Sequence, residues 1–218
     1  GVEGNGQTEL IEVITGIERG YTGKMTLDGN DITGTDASGM LKVLGHIPED
    51  RGMRGYISSF TNWENLILGY HTLPQYMTGQ GLLRTKQIRG EAEKAIEDYD
   101  IRTEGIDQLT GSLSGGNQQK LIVGRALKHH NGVLVAAQPT RGVDIGAIEY
   151  IHSQLMDVRD KGGAVILISA DLDEIVKLSD RIAVIYEGRI AACRPASGFT
   201  ESELGAYMLG KMGDSDEE

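Results

Sequence analysis

The first eight residues read G-V-E-G-N-G-Q-T and run directly into ELIEVITGI. A loop that cradles a phosphate follows G-x-x-x-x-G-K-[ST] and opens a helix. Its glycines let backbone N–H groups curl around the anion, and the helix N-terminus adds a favourable dipole. Gly1, Gly6 and Thr8 satisfy the pattern, and Gly4, Asn5 and Glu9 complete the candidate nucleotide-binding set. Thr8 is the candidate magnesium ligand. The lysine of the pattern is absent, and Gln7 stands in its place. A neutral amide replaces a charge-assisted bond with one about half as strong, so affinity and transition-state stabilisation should both fall. A second run, LSGGNQQK (113–120), places Ser114 before Gly115 and Gly116, where a helix can open and their N–H groups can form another anion site.

Two more segments carry chemistry by what they lack. VLVAAQPTRGVD (133–144) is an apolar strand that ends in Ala137 and Gln138 before Pro139, Thr140, Gly142 and Asp144. LISADLDEI (167–175) is a second apolar strand that ends at Ala170. With the loop and with LSGGNQQK, these segments resemble the cassettes of ATP-binding cassette (ABC) transporters, and the resemblance runs from Gly1 to about Gly210. It implies that LSGGNQQK is the family's signature motif, with Ser114, Gly115, Gly116 and Gln118 closing over ATP held by an opposing cassette. It makes 133–144 the Walker B strand and D-loop, with Asp144 as the D-loop aspartate. Ala137 and Gln138 then stand where the magnesium aspartate and the water-polarising glutamate belong, and Ala170 stands at the switch histidine. HIPEDR (46–51) falls at the Q-loop, with Glu49 at the glutamine position.

The resemblance thus implies that four groups acting on one bound ATP are replaced, at Gln7, Ala137, Gln138 and Ala170, and that no catalytic residue is intact. An amide at 138 cannot accept a proton from water. The segments serving the opposite site are kept. The combination is most similar to the second cassette of tandem-cassette ATPases of sugar and nucleoside uptake systems, with a slight lean to nucleosides. It implies ATP and Mg2+ as ligands, chiefly at the partner-completed site. The implied partners are another cassette, in the same polypeptide or a second subunit, permease subunits facing Glu49 to Trp63, and a solute-binding protein indirectly. The location implied is cytoplasmic, on the inner face of the membrane. A catalytically inactive regulatory module on the same scaffold is the alternative, and unaided hydrolysis by this chain is disfavoured.

The elements that must position these residues follow from periodicity. Leu10, Ile11, Ile14 and Ile17 are spaced as a helix, and KMTLDGNDI reads as two strands around Asp28-Gly29. VLGHI (43–47) is a strand, residues about 50–128 form a mainly helical subdomain, and GVLVAA and AVILIS read as buried strands around a helix at 145–160. DLDEIVKL is capped by Asp171, RIAVIYEGRIAAC is a hairpin turning at Glu187-Gly188, and TESELGAYML opens with a Thr200–Glu203 capping box. Strand–helix alternation predicts an α/β fold: a P-loop NTPase-type parallel sheet, the helical subdomain and a small antiparallel element. The family's strand leading into the phosphate loop lies outside the sequence, so a longer polypeptide is expected, its N-terminal part holding the first cassette.

Composition bounds the rest. Among 218 residues, 31 are glycine, which suits backbone-built loops, and the net charge of −11 argues against a nucleic-acid partner. A single cysteine, Cys193, excludes an internal disulfide framework. No apolar run reaches the ~18 residues of a membrane span. The five histidines lack metal-ligand spacing. His129 and His130 read as a helix end where a cation is favoured. The acidic tail, 213–218, is expected to be disordered.

Overall fold

The computed structural model describes residues 4–211, so Gly1 and the tail 213–218 lie outside the described residues. The chain divides into two compact units.

The first unit comprises residues up to Ala37 and from Leu167 onward. Helix α1, Gln7–Ile14, follows Gly6. It is shorter than the apolar spacing predicts, and Ile17 is 55% exposed. Gly16 causes the early stop: its φ is 74°, and a Cβ there would lie 2.6 Å from the Thr35 carbonyl oxygen. Strands β1, Thr26–Leu27, and β2, Asn30–Asp31, pair antiparallel as expected. Asp28 and Gly29 take φ of 48° and 79°, the left-handed pair a two-residue hairpin turn requires.

The C-terminal part of this unit holds α7 (Leu172–Leu178), β6 (Arg181–Tyr186), β7 (Arg189–Pro195) and α8 (Glu201–Met208). Asp171 accepts from the backbone N–H groups of Asp173 and Glu174, capping α7. The β6–β7 hairpin turns at Glu187-Gly188, where both φ values are positive. The Thr200–Glu203 capping box opens α8, and Leu204 and Tyr207 pack under Ile182 and Val184 of β6.

The second unit spans Ser38–Ile166. The short helix α2 (Ala37–Met40) leads into it. Strand β3, Gly45–Ile47, pairs in parallel with β4, Val133–Ala137, and β5, Ala164–Ile168, completes the order β3-β4-β5. Residues 134–137 of β4 are wholly buried. β5 departs from the expected buried strand: Ile166 is 39% exposed. It stands at the end of the described strand order, whereas β4 has a strand on each side.

The helices of this unit are α3 (Asn62–Leu66), α4 (Thr85–Asp98), α5 (Gly115–His129) and α6 (Ile145–Asp160). A π-type turn occupies Arg51–Gly55. Leu66, Ala92, Ala95, Ile101, Ile106, Leu113 and Leu121 form one apolar cluster, each large side chain contributing about 1.5–3 kcal/mol on burial. Gly124 admits the Tyr99 ring against α5, since a Cβ there would lie 2.4 Å from the ring.

Candidate functional site

In the first unit the glycine loop is shaped by positive φ at Gly4 (88°) and Gly6 (107°), which only glycine adopts without strain. The Gln7 side chain folds back, its Oε1 accepting from the Asn5 N–H at 3.1 Å. Asn5 is bound to the β6–β7 turn: its carbonyl accepts from Gly188 N–H at 2.9 Å and its Oδ1 from Glu187 N–H at 2.9 Å. A Cβ at Gly6 would lie 3.1 Å from Gly188 Cα, so the loop rests closely on that turn. Thr8 and Glu9 are exposed on the first turn of α1. Ala170 follows β5 and is also exposed.

In the second unit three segments meet at the start of α5. The first is the helix itself. Ser114 is its N-cap, exposed, with Oγ accepting from Asn117 Nδ2 at 2.9 Å. Gly116 is buried, and a Cβ there would lie 2.7 Å from Asp144 Oδ2. Gln118 turns inward instead of facing solvent, donating to the Leu113 carbonyl at 3.1 Å.

The second segment is the loop after β4. Ala137 is fully buried at the end of the strand. Gln138 takes φ 46°, a left-handed value uncommon for a residue with a side chain. Gln119 of α5 donates to the Pro139 carbonyl at 2.7 Å, binding loop to helix. Asp144 ends the loop as the N-cap of α6, its Oδ1 accepting from Ala147 N–H at 3.0 Å.

The third segment follows β3. Glu49 is half-buried, and Asp50 caps the π-type turn by accepting from Met53 N–H at 3.0 Å. Arg51 donates to the carbonyls of Arg141 (2.9 Å) and Gly142 (3.2 Å). Arg125, buried in the middle of α5, donates to the carbonyls of Gly55 (2.6 Å) and Asn65 (3.0 Å). Burial pushes its guanidinium down to about 10, which leaves it charged at neutral pH.

Arg51, Arg125 and Asn65 were not singled out by their spacing. Asn65 is fully buried, accepts from Ile57 N–H and donates to Thr110 Oγ1. The available signal was the Asn62–Asn65 pair in TNWEN, two amides on the otherwise apolar face of a helix.

One electrostatic expectation is corrected. His129 does end α5, but it is not a helix-terminal cation. It is buried, stacked on Tyr70 at 3.9 Å between ring centroids, and burial with nearby Lys128 and Arg125 lowers it to about 4. Desolvation outweighs the helix dipole here, because the dipole contributes at most ~2 kcal/mol. His46 on β3 is likewise lowered to about 4 by burial, then by Arg125 and Arg54. Among the described residues no group of three His, Cys, Asp or Glu side chains could hold a metal ion, and no helix is long and apolar enough to cross a membrane.

A glycine loop opening a helix, a second glycine-opened helix after a capping serine, and a buried strand leading into a capped loop are together the parts of an ABC cassette. The ABC transporter family's sequence model matches residues 1–141, and the chain belongs to that family. Its α/β fold, a parallel sheet with helices and a small antiparallel element, matches solved ABC cassettes. A dimeric bacterial ABC transporter cassette superposes with a TM-score of 0.73 at 20% identity, over 90% of this chain and 83% of that one. A nucleotide-free cassette from an ABC transporter superposes at 0.70 with 25% identity, over 95% and 81%.

Among individual proteins, the chain is 44% identical to the guanosine import ATP-binding protein NupO of Bacillus subtilis, over 96% of this chain and 41% of that protein. It is 42% identical to the nucleoside import ATP-binding protein NupA of Lactococcus lactis, over 96% and 42%. The glucose import ATP-binding protein TsgD13 of Haloferax volcanii is 39% identical over 96% and 38%. The chain therefore spans about two fifths of the length of these curated relatives.

Proposed function

We propose that this chain is the second cassette of a tandem-cassette ATP-binding protein that powers import of nucleosides or simple sugars. Its own phosphate loop is the weak site of a pair. The competent site combines the opposing cassette's phosphate loop and Walker B carboxylates with Ser114, Gly115 and Gly116 of this chain, and ATP with Mg2+ is turned over there.

The observation that carries this reading is an asymmetry of replacement. Gln7, Ala137, Gln138 and Ala170 remove the cation, the metal ligand, the base and the switch imidazole from one ATP. The entrance to α5 keeps its serine and both glycines, and Gln119 binds that helix to the loop ending at Asp144. An ATP held at Gly4–Glu9 would be bound chiefly by backbone N–H groups, with Thr8 left as a weak metal contact.

Residues about 50–128 form a helical arm whose surface from Glu49 to Trp63 faces the permease, and the protein works from the cytoplasmic face of the membrane through that contact. Met53, 83% exposed, with Ile57 and Phe60 gives the arm an apolar surface for a membrane subunit. Nucleosides are favoured as cargo over sugars, because NupO and NupA share more identity with this chain than TsgD13 does. The solute-binding protein engages the permease, not this chain.

The test is phosphate release by the assembled transporter. Ser114→Arg should lower turnover about a hundredfold, which is ~2.7 kcal/mol of barrier, while Gln138→Ala changes it less than twofold. Undiminished turnover in Ser114→Arg would falsify the complementary site. The inactive regulatory module remains the reading to adopt if no permease co-purifies with the full-length protein.

A further inference from the structure

We infer that Arg51 is a positioning residue that transmits movement of the permease-facing arm to the loop before α6 and to the start of α5. The inference rests on the reading above, in which residues near Met53 meet the permease and Ser114 serves the partner's ATP.

Arg51 begins the π-type turn, and its guanidinium spans two successive carbonyls, those of Arg141 and Gly142. A planar fork with five N–H donors suits such a pair, and a lysine ammonium cannot reproduce it. Gly142 has φ 68°, a left-handed turn of the loop at the point where its carbonyl meets the guanidinium. Gly115 leaves room for the same group, since a Cβ there would lie 2.8 Å from Arg51 Nη2. The second glycine position of LSGGN, Gly116, is closed in the same way by Asp144. Both glycines therefore have a packing reason beside the anion-binding one.

The turn is held at its other end too. Arg125 of α5 grips the Gly55 carbonyl, and a Cβ at Gly55 would lie 2.6 Å from Ile122 Cδ1 of α5. Asp50 fixes its beginning through Met53 N–H. With the segment pinned at Arg51 and Gly55, a shift that starts at Met53 is passed through Arg51 to the 141–142 carbonyls. Those carbonyls lie two to three residues before Asp144, which caps α6.

The experiment uses the full-length protein assembled with its permease in lipid nanodiscs. Hydrogen exchange is followed by mass spectrometry before and after adding solute-loaded binding protein. In the unaltered complex, uptake should change in both 53–60 and 139–146. In Arg51→Gln the change at 53–60 persists, and the change at 139–146 falls at least threefold. Solute-stimulated turnover falls by a similar factor at unchanged KM for ATP. Arg51→Lys, which keeps the cation and one carbonyl within reach, recovers part of the response and carries the test if the glutamine variant does not assemble. An unchanged response at 139–146 in either variant overturns the role of Arg51. A missing response at 53–60 in the unaltered complex overturns the functional reading instead, and Ser114→Arg tests that reading separately.

Discussion

Two helices in this chain open behind glycines, and their surroundings differ. At α1 the loop closes on itself and on a hairpin turn: Gln7 accepts from Asn5, and Asn5 is bound to Glu187 and Gly188. At α5 the entrance is held from beneath, by Gln119 on Pro139, Arg51 on Arg141 and Gly142, and Asp144 against Gly116, while Ser114 stays at the surface. The same local device, a helix N-terminus freed by glycine, is in one place tied into its own loop and in the other braced with its polar group outward. Local sequence supplies a helix terminus opened by glycine; the neighbouring segments decide which of its polar groups reach the surface.

Removing the brace should give the largest effect. Arg125→Met removes the guanidinium donor from the Gly55 and Asn65 carbonyls and should lower stability by about 3 kcal/mol, read as a shift in the urea midpoint at constant m-value. Acid should act next. His46 and His129 are held at about 4 against an ordinary 6.5, so below pH 6.5 the unfolded chain takes up protons that the folded one refuses. Stability then falls from about pH 6.5 to about pH 4 and levels below that. Between pH 7 and 5 the loss is ~1–2 kcal/mol per histidine, and His129→Gln should remove its share from the pH profile of unfolding.

Gly116→Ala should cost about 1 kcal/mol in thermal unfolding, because the added methyl displaces Asp144 from its cap on α6. At the other loop, Gln7→Lys sharpens the contrast with the smallest change. Nucleotide affinity at α1 should rise about threefold, ~0.7 kcal/mol by titration, with no turnover gained at that loop while Ala137, Gln138 and Ala170 remain. A large gain in turnover from that single change would erase the distinction between the two helices.

The motif-bearing elements were legible in the sequence because their glycines, caps and apolar runs are local. The hairpins at Asp28-Gly29 and Glu187-Gly188, the Thr200 capping box, β4 and the helix from Ile145 to Asp160 all appear where spacing places them. What was not legible depended on distant neighbours. Gly16 meets Thr35 and ends α1 early, Ile166 on β5 is left partly exposed, and Tyr70 covers His129. Arg125 sits in a helix with a basic last turn, and only the fold brings the carbonyls of Gly55 and Asn65 to it.

Gln138 carries a cost of another kind. Its left-handed backbone, φ 46°, belongs to the way β4 turns into the loop and does not depend on an acid at that position. A non-glycine residue held there costs of order 1 kcal/mol or more, and the chain retains that cost with a neutral amide. A Gln138→Glu substitution would be an isosteric exchange on a backbone that is already bent, with no refolding to accompany it.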